Sequence, residues 1–291
     1  MDEPTVYING LFTPLRNAKI SILDRGFCYG DGLFETLRAS NGKIFHIQQH
    51  IDRLFDSLQQ VLIELPMTRL ELTKAVKETL ARNKYKNAII RLMVTRGNTE
   101  SNIQIDSKIH PTLVINIRPF TPLPKVAYKK GIRGMLFQER ANLVNGLSLR
   151  LKSCNYLSNI LIKELSNKKN YTEGVVVDPD FGVTEGTTSN IFIVEQGQLK
   201  TPPLSPYVLA GITRQVVLEI ARDHKIPFTE EKITADELIY ADEVFITNSC
   251  IEIVPVTQVN SNFIGLKKPG ILTRFIHEEF LKCVEANKNP C

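Results

Sequence analysis

No stretch of this chain is apolar for the length that a bilayer-spanning helix needs, which excludes a helical membrane protein. The opening residues, Met1-Asp2-Glu3-Pro4, are acidic and carry no apolar core segment, so no secretory signal is expected. Cysteine is scarce and scattered. Cys28, Cys154, Cys250, Cys283 and Cys291 are odd in number and include no CxxC pair, which argues against a zinc site and against a disulfide framework. They read as free thiols in a reducing cytoplasm, the expected location. No polybasic tract occurs. The 36 lysines and arginines are interspersed with 31 acids for a net charge of +5, so no nucleic-acid partner is expected. GxGxxG and Walker sequences are both missing, and so are internal repeats and low-complexity segments. What remains is an ordinary globular composition, 43% hydrophobic and 23% charged over 291 residues, enough for one large domain or two of usual size.

Short strands and turn signals open the chain. Val6-Tyr7-Ile8 leads into Asn9-Gly10, and Leu33 to Ala39 leads into Asn41-Gly42 and Lys43-Ile44-Phe45; both dipeptides mark tight hairpins. Helical spacing follows from His46 to Leu62, with Ile47, Ile51, Leu54, Phe55, Leu58 and Leu62 on one side. Thr68-Arg69-Leu70-Glu71 is a capping box for a helix reaching about Asn83, and Ala88–Thr95 and Thr112–Ile117 are strands. Residues 1–120 therefore form a small α+β domain. Pro119, Pro122 and Pro124 mark a linker over 121–130. The larger domain, 131–291, shows strands at Ile132–Phe137, Glu173–Val177, Ile191–Val194 and Glu243–Thr247. Its helices are at about Tyr156–Ser166, Thr213–His224 and Gly270–Ala286, with a second capping box at Thr234-Ala235-Asp236-Glu237. Many short strands point to a barrel-like or mixed sheet rather than a Rossmann array.

Four segments carry chemistry. Leu151-Lys152-Ser153-Cys154-Asn155-Tyr156-Leu157 sets a lysine among apolar neighbours, Leu149 among them. A lysine is a nucleophile only when neutral, and an apolar or electropositive setting favours that form. Thr184-Glu185-Gly186-Thr187-Thr188-Ser189-Asn190 places one acid before a turn of small residues. Gly211-Ile212-Thr213 opens a helix whose amides can meet an anion, and Thr247-Asn248-Ser249 is a second small-residue cradle. Arg53 offers a permanent cation. An amine for an aldehyde, an anion for a ring nitrogen and amides for a phosphate are what pyridoxal 5'-phosphate requires. Each piece also has an ordinary structural reading: Glu185 as a turn acid, Thr213 as a helix cap, Ser249 as a turn residue, Arg53 paired with Asp52 or Asp56. Lys163, Lys168 and Lys169 read as surface. His46 and His50 stand four apart on a helix, but no third ligand is apparent; His50 reads as a structural hydrogen-bonding group, and no metal site is expected. Cys154 reads as packing.

Six segments, in order, resemble the class IV, or fold-type IV, pyridoxal-phosphate aminotransferases. They are Asp24–Arg38 (DRGFCYGDGLFETLR), His50-Ile51-Asp52-Arg53-Leu54, the Lys152 segment, Thr184-Glu185-Gly186, Leu209–Arg214, and Ala241–Phe245 with Glu252–Val256. The family includes branched-chain and D-amino acid aminotransferases and aminodeoxychorismate lyase. The resemblance implies a small α+β domain, a larger pseudo-barrel domain carrying the Schiff-base lysine, and a homodimer. By position it implies Lys152 as the catalytic amine and proton shuttle, with Glu185 on the pyridine nitrogen. It places Arg53, Ile212, Thr213, Asn248 and Ser249 on the phosphate and Tyr156 near the phenolic oxygen. Tyr29, Phe34, Thr36, Arg38 and Arg91 fall at substrate positions, with Arg38 or Arg91 for the substrate carboxylate.

The implied activity is transfer of an amino group between a small or branched-chain amino acid, L or D, and a 2-oxo acid. The alternative is a lyase forming 4-aminobenzoate and pyruvate. No subgroup pattern is complete. Thr36 stands where branched-chain enzymes carry glycine, and Ile89-Ile90-Arg91 keeps only the arginine of their Tyr-x-Arg. Ser101 and Ile103 replace the Arg-x-His of D-specific enzymes.

Overall fold

The computed structural model describes residues 3–99, 103–105, 109–138, 151–205 and 207–286. Leu149, Ser101 and Cys291, named above, lie outside them. The chain divides into two compact units. The first is Met1–Thr121 together with Leu151–Asn155; the second is Pro122–Arg150 with Tyr156–Cys291. Two features of this division differ from the sequence reading. The lysine segment groups with the first unit, not the second, because its backbone pairs there. The 121–130 linker is largely a short helix, Lys125–Lys130, entered from Pro124.

In the first unit the elements are β1 (Thr5–Ile8), β2 (Leu11–Pro14), α1 (Arg25–Tyr29), β3 (Gly32–Ser40), β4 (Lys43–Ile44), α2 (Ile47–Gln60), α3 (Arg69–Asn83), β5 (Ala88–Thr95) and β6 (Thr112–Pro119). They build a six-stranded antiparallel sheet ordered β2-β1-β6-β5-β3-β4. Both hairpin turns form as the sequence indicates. Asn9 and Gly10, and likewise Asn41 and Gly42, take positive φ, the backbone that a two-residue turn needs to match strand twist. The Thr68–Glu71 capping box is present at the start of α3. Alternation does the rest. Leu33, Leu37 and Ala39 on β3, Ile90, Leu92 and Val94 on β5, and Leu113, Ile115 and Ile117 on β6 point to one face. There they meet Ile51, Leu54 and Leu58 of α2 and Leu72, Val76 and Leu80 of α3. Residues of opposite parity on β3, namely Phe34, Thr36 and Arg38, are left on the other face.

The second unit runs α4 (Lys125–Lys130), β7 (Ile132–Gln138), α5 (Leu157–Lys168), β8 (Glu173–Asp178), β9 (Gly182–Gly186), β10 (Asn190–Glu195), β11 (Gln198–Thr201), α6 (Ile212–Asp223), β12 (Phe228–Glu230), α7 (Ala235–Tyr240), β13 (Glu243–Asn248), β14 (Glu252–Val259), β15 (Asn262–Phe263) and α8 (Ile271–Ala286). Its nine-stranded mixed sheet has the order β12-β11-β10-β13-β14-β7-β8-β9, with β15 on β14. Strand β9 closes one edge and β10 stands third from the other, yet only Thr187–Ser189 joins them. Five strand spacings across a flat sheet would be ~24 Å, whereas three linking residues reach at most ~14 Å. The sheet must therefore curl into a half-barrel. Ile191, Ile193, Val244 and Ile246 fill one face of it, while Phe192 and Phe245 stack at 4.9 Å on the other. Burial on both faces explains why β10 and β13 read as nearly continuous apolar runs.

Candidate active site

Lys152 is positioned by backbone. The Phe34 N–H donates to the Lys152 carbonyl at 2.9 Å, and the Cys154 N–H donates to the Gly32 carbonyl at 2.8 Å. The segment thus adds to the side of β3 at its start, with Ser153 bridging Leu33. This parity brings Lys152 to the Phe34 face. Its Nζ lies 4.8 Å from the centre of the Phe34 ring, and the Arg91 guanidinium carbon lies 4.2 Å from the same ring. Arg91 is the cross-strand partner of Thr36. Phe34, Thr36, Arg38, Arg91 and Lys152 therefore gather on one sheet face. Arg38 packs over Phe120 at 4.2 Å. Tyr29 ends α1, half-exposed, with Arg25 over its ring at 5.2 Å. Cys154 is half-buried, and burial pushes its thiol up, away from the reactive thiolate.

Glu35 points to the opposite, core-facing side of β3 and is 1% exposed. Arg53 donates through Nε (2.7 Å) and Nη2 (2.6 Å) to its two oxygens, and His50 Nδ1 lies 2.7 Å from Oε2. Asp52 and Asp56 pair instead with Arg69, so the ordinary reading of Arg53 as partner to those acids does not hold. Burial pushes the Glu35 carboxyl up, but Arg53 and His50 outweigh it and bring the pKa to about 2. His50 is held below its usual range, first by burial and then against the pull of Glu35; the charge of Lys152 adds to the lowering. His46 opens α2 in the left-handed conformation, and burial lowers it to about 4. Asp31, just before β3, takes Arg25 Nε at 2.7 Å and Arg96 Nε at 2.8 Å.

A second constellation forms in the other unit. Glu185 sits in a β-bulge: Val175 pairs Gly186 and Val177 pairs Val183, so Thr184 and Glu185 together oppose Val176. The Glu185 carboxylate accepts from the Leu209 N–H at 2.9 Å, and Asn190 Nδ2 donates to the Leu209 carbonyl at 2.8 Å. Gly211 caps α6 with no side-chain hydrogen bond, and any Cβ there would strike Asn190. Thr213 is therefore not the cap. It sits in the first turn, buried beside Ile212. Asn190 pairs Thr247 across β10 and β13, which brings Asn248 and Ser249 next. Asn248 Nδ2 donates to the Thr188 carbonyl at 3.0 Å. Tyr156 precedes α5 as its cap residue.

The hydroxyls of Ser189 and Thr247 are buried with no hydrogen-bond partner among the described residues. Two orphaned donors, one in the turn before β10 and one on β13, together with the start of a twelve-residue helix whose cap Gly211 abuts Asn190, suit a bound oxyanion. The donor set thus fits the phosphate of pyridoxal phosphate, and Glu185 fits a protonated ring nitrogen. The sequence places Ser189, Asn190 and Thr247 within the two small-residue turns but gives none of them a role of its own. Glu35 was passed over, although a lone acid at a core-parity position of an apolar strand was a usable signal.

A family model described as Amino-transferase class IV matches residues 32–259. This chain belongs to the class IV aminotransferases. Over 275 residues it is 39% identical to a Methanocaldococcus jannaschii protein provisionally named branched-chain-amino-acid aminotransferase, covering 94% of each. It is 32% identical to a D-alanine aminotransferase of Staphylococcus epidermidis, covering 97% of this chain and 98% of the relative. Its fold matches the branched-chain aminotransferase of Thermoproteus uzoniensis solved with norvaline, with a TM-score of 0.89 and 30% identity over 98% of this chain and 96% of that one. The fold-type IV α+β architecture and the transaminase activity inferred from the motifs agree with these matches. Class IV aminotransferases are pyridoxal-phosphate enzymes.

The His46, His50 and Glu35 shifts set a pH dependence. A histidine lowered by folding binds its proton more readily when unfolded, so stability falls as pH drops below about 6.5. Glu35 adds its own loss only below about pH 4.5, as pH falls toward its folded value of about 2. The urea midpoint is expected to fall between pH 6.5 and 4. In His46→Asn, which keeps a residue tolerant of the left-handed backbone, the slope over that range shrinks; an unchanged slope would remove His46 from this role.

Proposed function

We propose that this transaminase uses pyridoxal 5'-phosphate to move the amino group of a small or branched-chain amino acid to a 2-oxo acid. The fixing of Lys152 on the Phe34 face is the observation that carries this reading. Bound there, pyridoxal phosphate supplies an aldehyde and an electron-withdrawing ring. Lys152 would provide the amine that holds the aldehyde, and its amine would carry a proton to and from the substrate α-carbon. Glu185 holds a proton on the ring nitrogen. Ile212, Thr213, Asn248 and Ser249 hold the phosphate with the hydroxyls of Ser189 and Thr247. Arg53, oriented by Glu35, would add its guanidinium to the phosphate, and Tyr156 would stand near the phenolic oxygen. Arg91, which shares the Phe34 ring with Lys152, takes the substrate carboxylate in preference to Arg38. Phe34, Thr36 and Tyr29 bound the side-chain space.

The relatives' names span branched-chain amino acid and D-alanine chemistry, and both are carried into the test. Each donor is added alone to the cofactor-loaded protein: L-leucine, D-alanine, L-glutamate and (R)-1-phenylethylamine. L-leucine or D-alanine is expected to bleach the visible band and release the matching 2-oxo acid. Arg91→Leu is expected to raise KM roughly 10–100-fold, as loss of a charge-assisted contact does. Silence with every amine, with pyruvate formed from aminodeoxychorismate instead, would overturn the transaminase assignment of substrate.

We further propose a homodimer working in the cytoplasm. Its support is α5, which exposes Leu157, Ile160, Leu161 and Leu165 on one side, and the four described cysteines, whose sulfurs form no disulfide. No described helix is long and apolar enough to cross a membrane. Light scattering is expected to give about twice the 32.9 kDa chain mass, reverting to a single mass in Leu161→Lys; a monomeric wild type would contradict it.

A further inference from the structure

Glu173 begins β8 and is a buried acid that no step above employs. It is 2% exposed, and its carboxylate accepts from the Thr187 N–H (3.0 Å), the Thr187 hydroxyl and the Gly174 N–H (3.1 Å). Lys163 of α5 neutralises it at 3.2 Å, so that lysine is not the plain surface residue its polar context indicates. The Thr187 carbonyl in turn accepts from Asn159 Nδ2 at 2.7 Å, and the Thr187 N–H also reaches the Gly174 carbonyl at 3.0 Å. Every polar group of Thr187 is thereby held from inside the unit.

Thr187 stands two residues after Glu185, at the end of the strand that bulges. Within the bulge, on the other side of Glu185, the Thr184 hydroxyl donates to the Val176 carbonyl at 3.1 Å. An extra residue in a strand has no ladder partner of its own, so its direction depends on what fixes the backbone on either side. Thr184 fixes one side and Glu173, through Thr187, fixes the other. A buried carboxylate is costly unless it is paired and saturated with donors, and here it is both. The same turn delivers Thr188 and Ser189.

We propose that Glu173 is a positioning residue for the transamination site, acting through Thr187 to aim the Glu185 carboxylate and the Thr188–Ser189 turn. The proposal rests on Glu185 serving the cofactor ring as argued above. A positioning role makes the two acids interdependent: once Glu185 is neutral, its aim no longer matters.

The test is a double-mutant cycle on the cofactor-loaded enzyme with Glu173→Gln and Glu185→Gln, with Thr187→Val as a milder probe of the same link. Glu173→Gln is expected to lower kcat for the amino-donor half-reaction by about 10–100-fold, the scale seen when outer supports of a site are removed. KM should change less than kcat. The pH titration of the bound cofactor's spectrum should move toward that of Glu185→Gln. In the Glu185→Gln background the added loss is expected to fall below about threefold, the mark of coupled residues. Full additivity, or a Glu173→Gln enzyme that is less heat-stable but has wild-type kcat and spectrum, would overturn the proposal. If Glu173→Gln does not fold, Thr187→Val decides by the same criteria. A wild-type protein that takes up no cofactor would overturn the underlying reading, and this inference with it.

Discussion

Two backbone hydrogen bonds hold Lys152, and its place in the first unit follows from them. Lys152 has no long helix or strand of its own. It borrows order from β3, where Gly32 and Phe34 supply one acceptor and one donor. Strand parity then decides the outcome. With Phe34 paired to Lys152, the amine falls on the face that also bears Thr36, Arg38 and Arg91, away from the core packed against α2 and α3. A one-residue slip would send it to the opposite face. The loop before β3 is correspondingly well tied. Asp24 accepts from the Gly26 N–H and from the Thr95 and Thr112 hydroxyls, and Asp31 is clamped between Arg25 and Arg96.

Carboxylates paired with cations recur, Glu35 and Glu173 buried and Asp31 half-buried. Glu35 orients Arg53, Asp31 anchors the entry to β3, and Glu173 holds the turn after Glu185. Each has a cation beside it, and each spends its oxygens on several donors. Such groups add little net stability compared with a well-packed apolar core, but losing one partner leaves the other buried and charged. What they give is a fixed direction for the groups they bind: Arg53, Arg96 and the Thr187 turn.

Much of this was legible locally. Asn-Gly turns, capping boxes at Thr68 and Thr234, and the period-two runs of β5 and β6 report the local backbone directly, and the motif order reported the family. Three things were not. The lysine segment's grouping with the first unit depends on a strand partner more than a hundred residues earlier. The curl of the second sheet is a property of strand order, visible only once β9 and β10 are seen to be far apart in the sheet and adjacent in the chain. The roles of Glu35 and Glu173 depend on partners at α2 and at the Thr187 turn, and no local pattern announces which cation a buried acid will meet. Ser189 and Thr247 were hidden for a related reason, since a hydroxyl becomes informative only when the fold leaves it without a partner.

The most direct test of the account is chemical mapping of the lysine. The protein is loaded with pyridoxal 5'-phosphate, reduced with borohydride to fix the cofactor to whichever amine holds it, digested and read by mass spectrometry. The account requires the adduct on Lys152, and its loss together with turnover in Lys152→Ala. An adduct on another lysine, or a Lys152→Ala protein that still carries the cofactor covalently and transaminates, would contradict it.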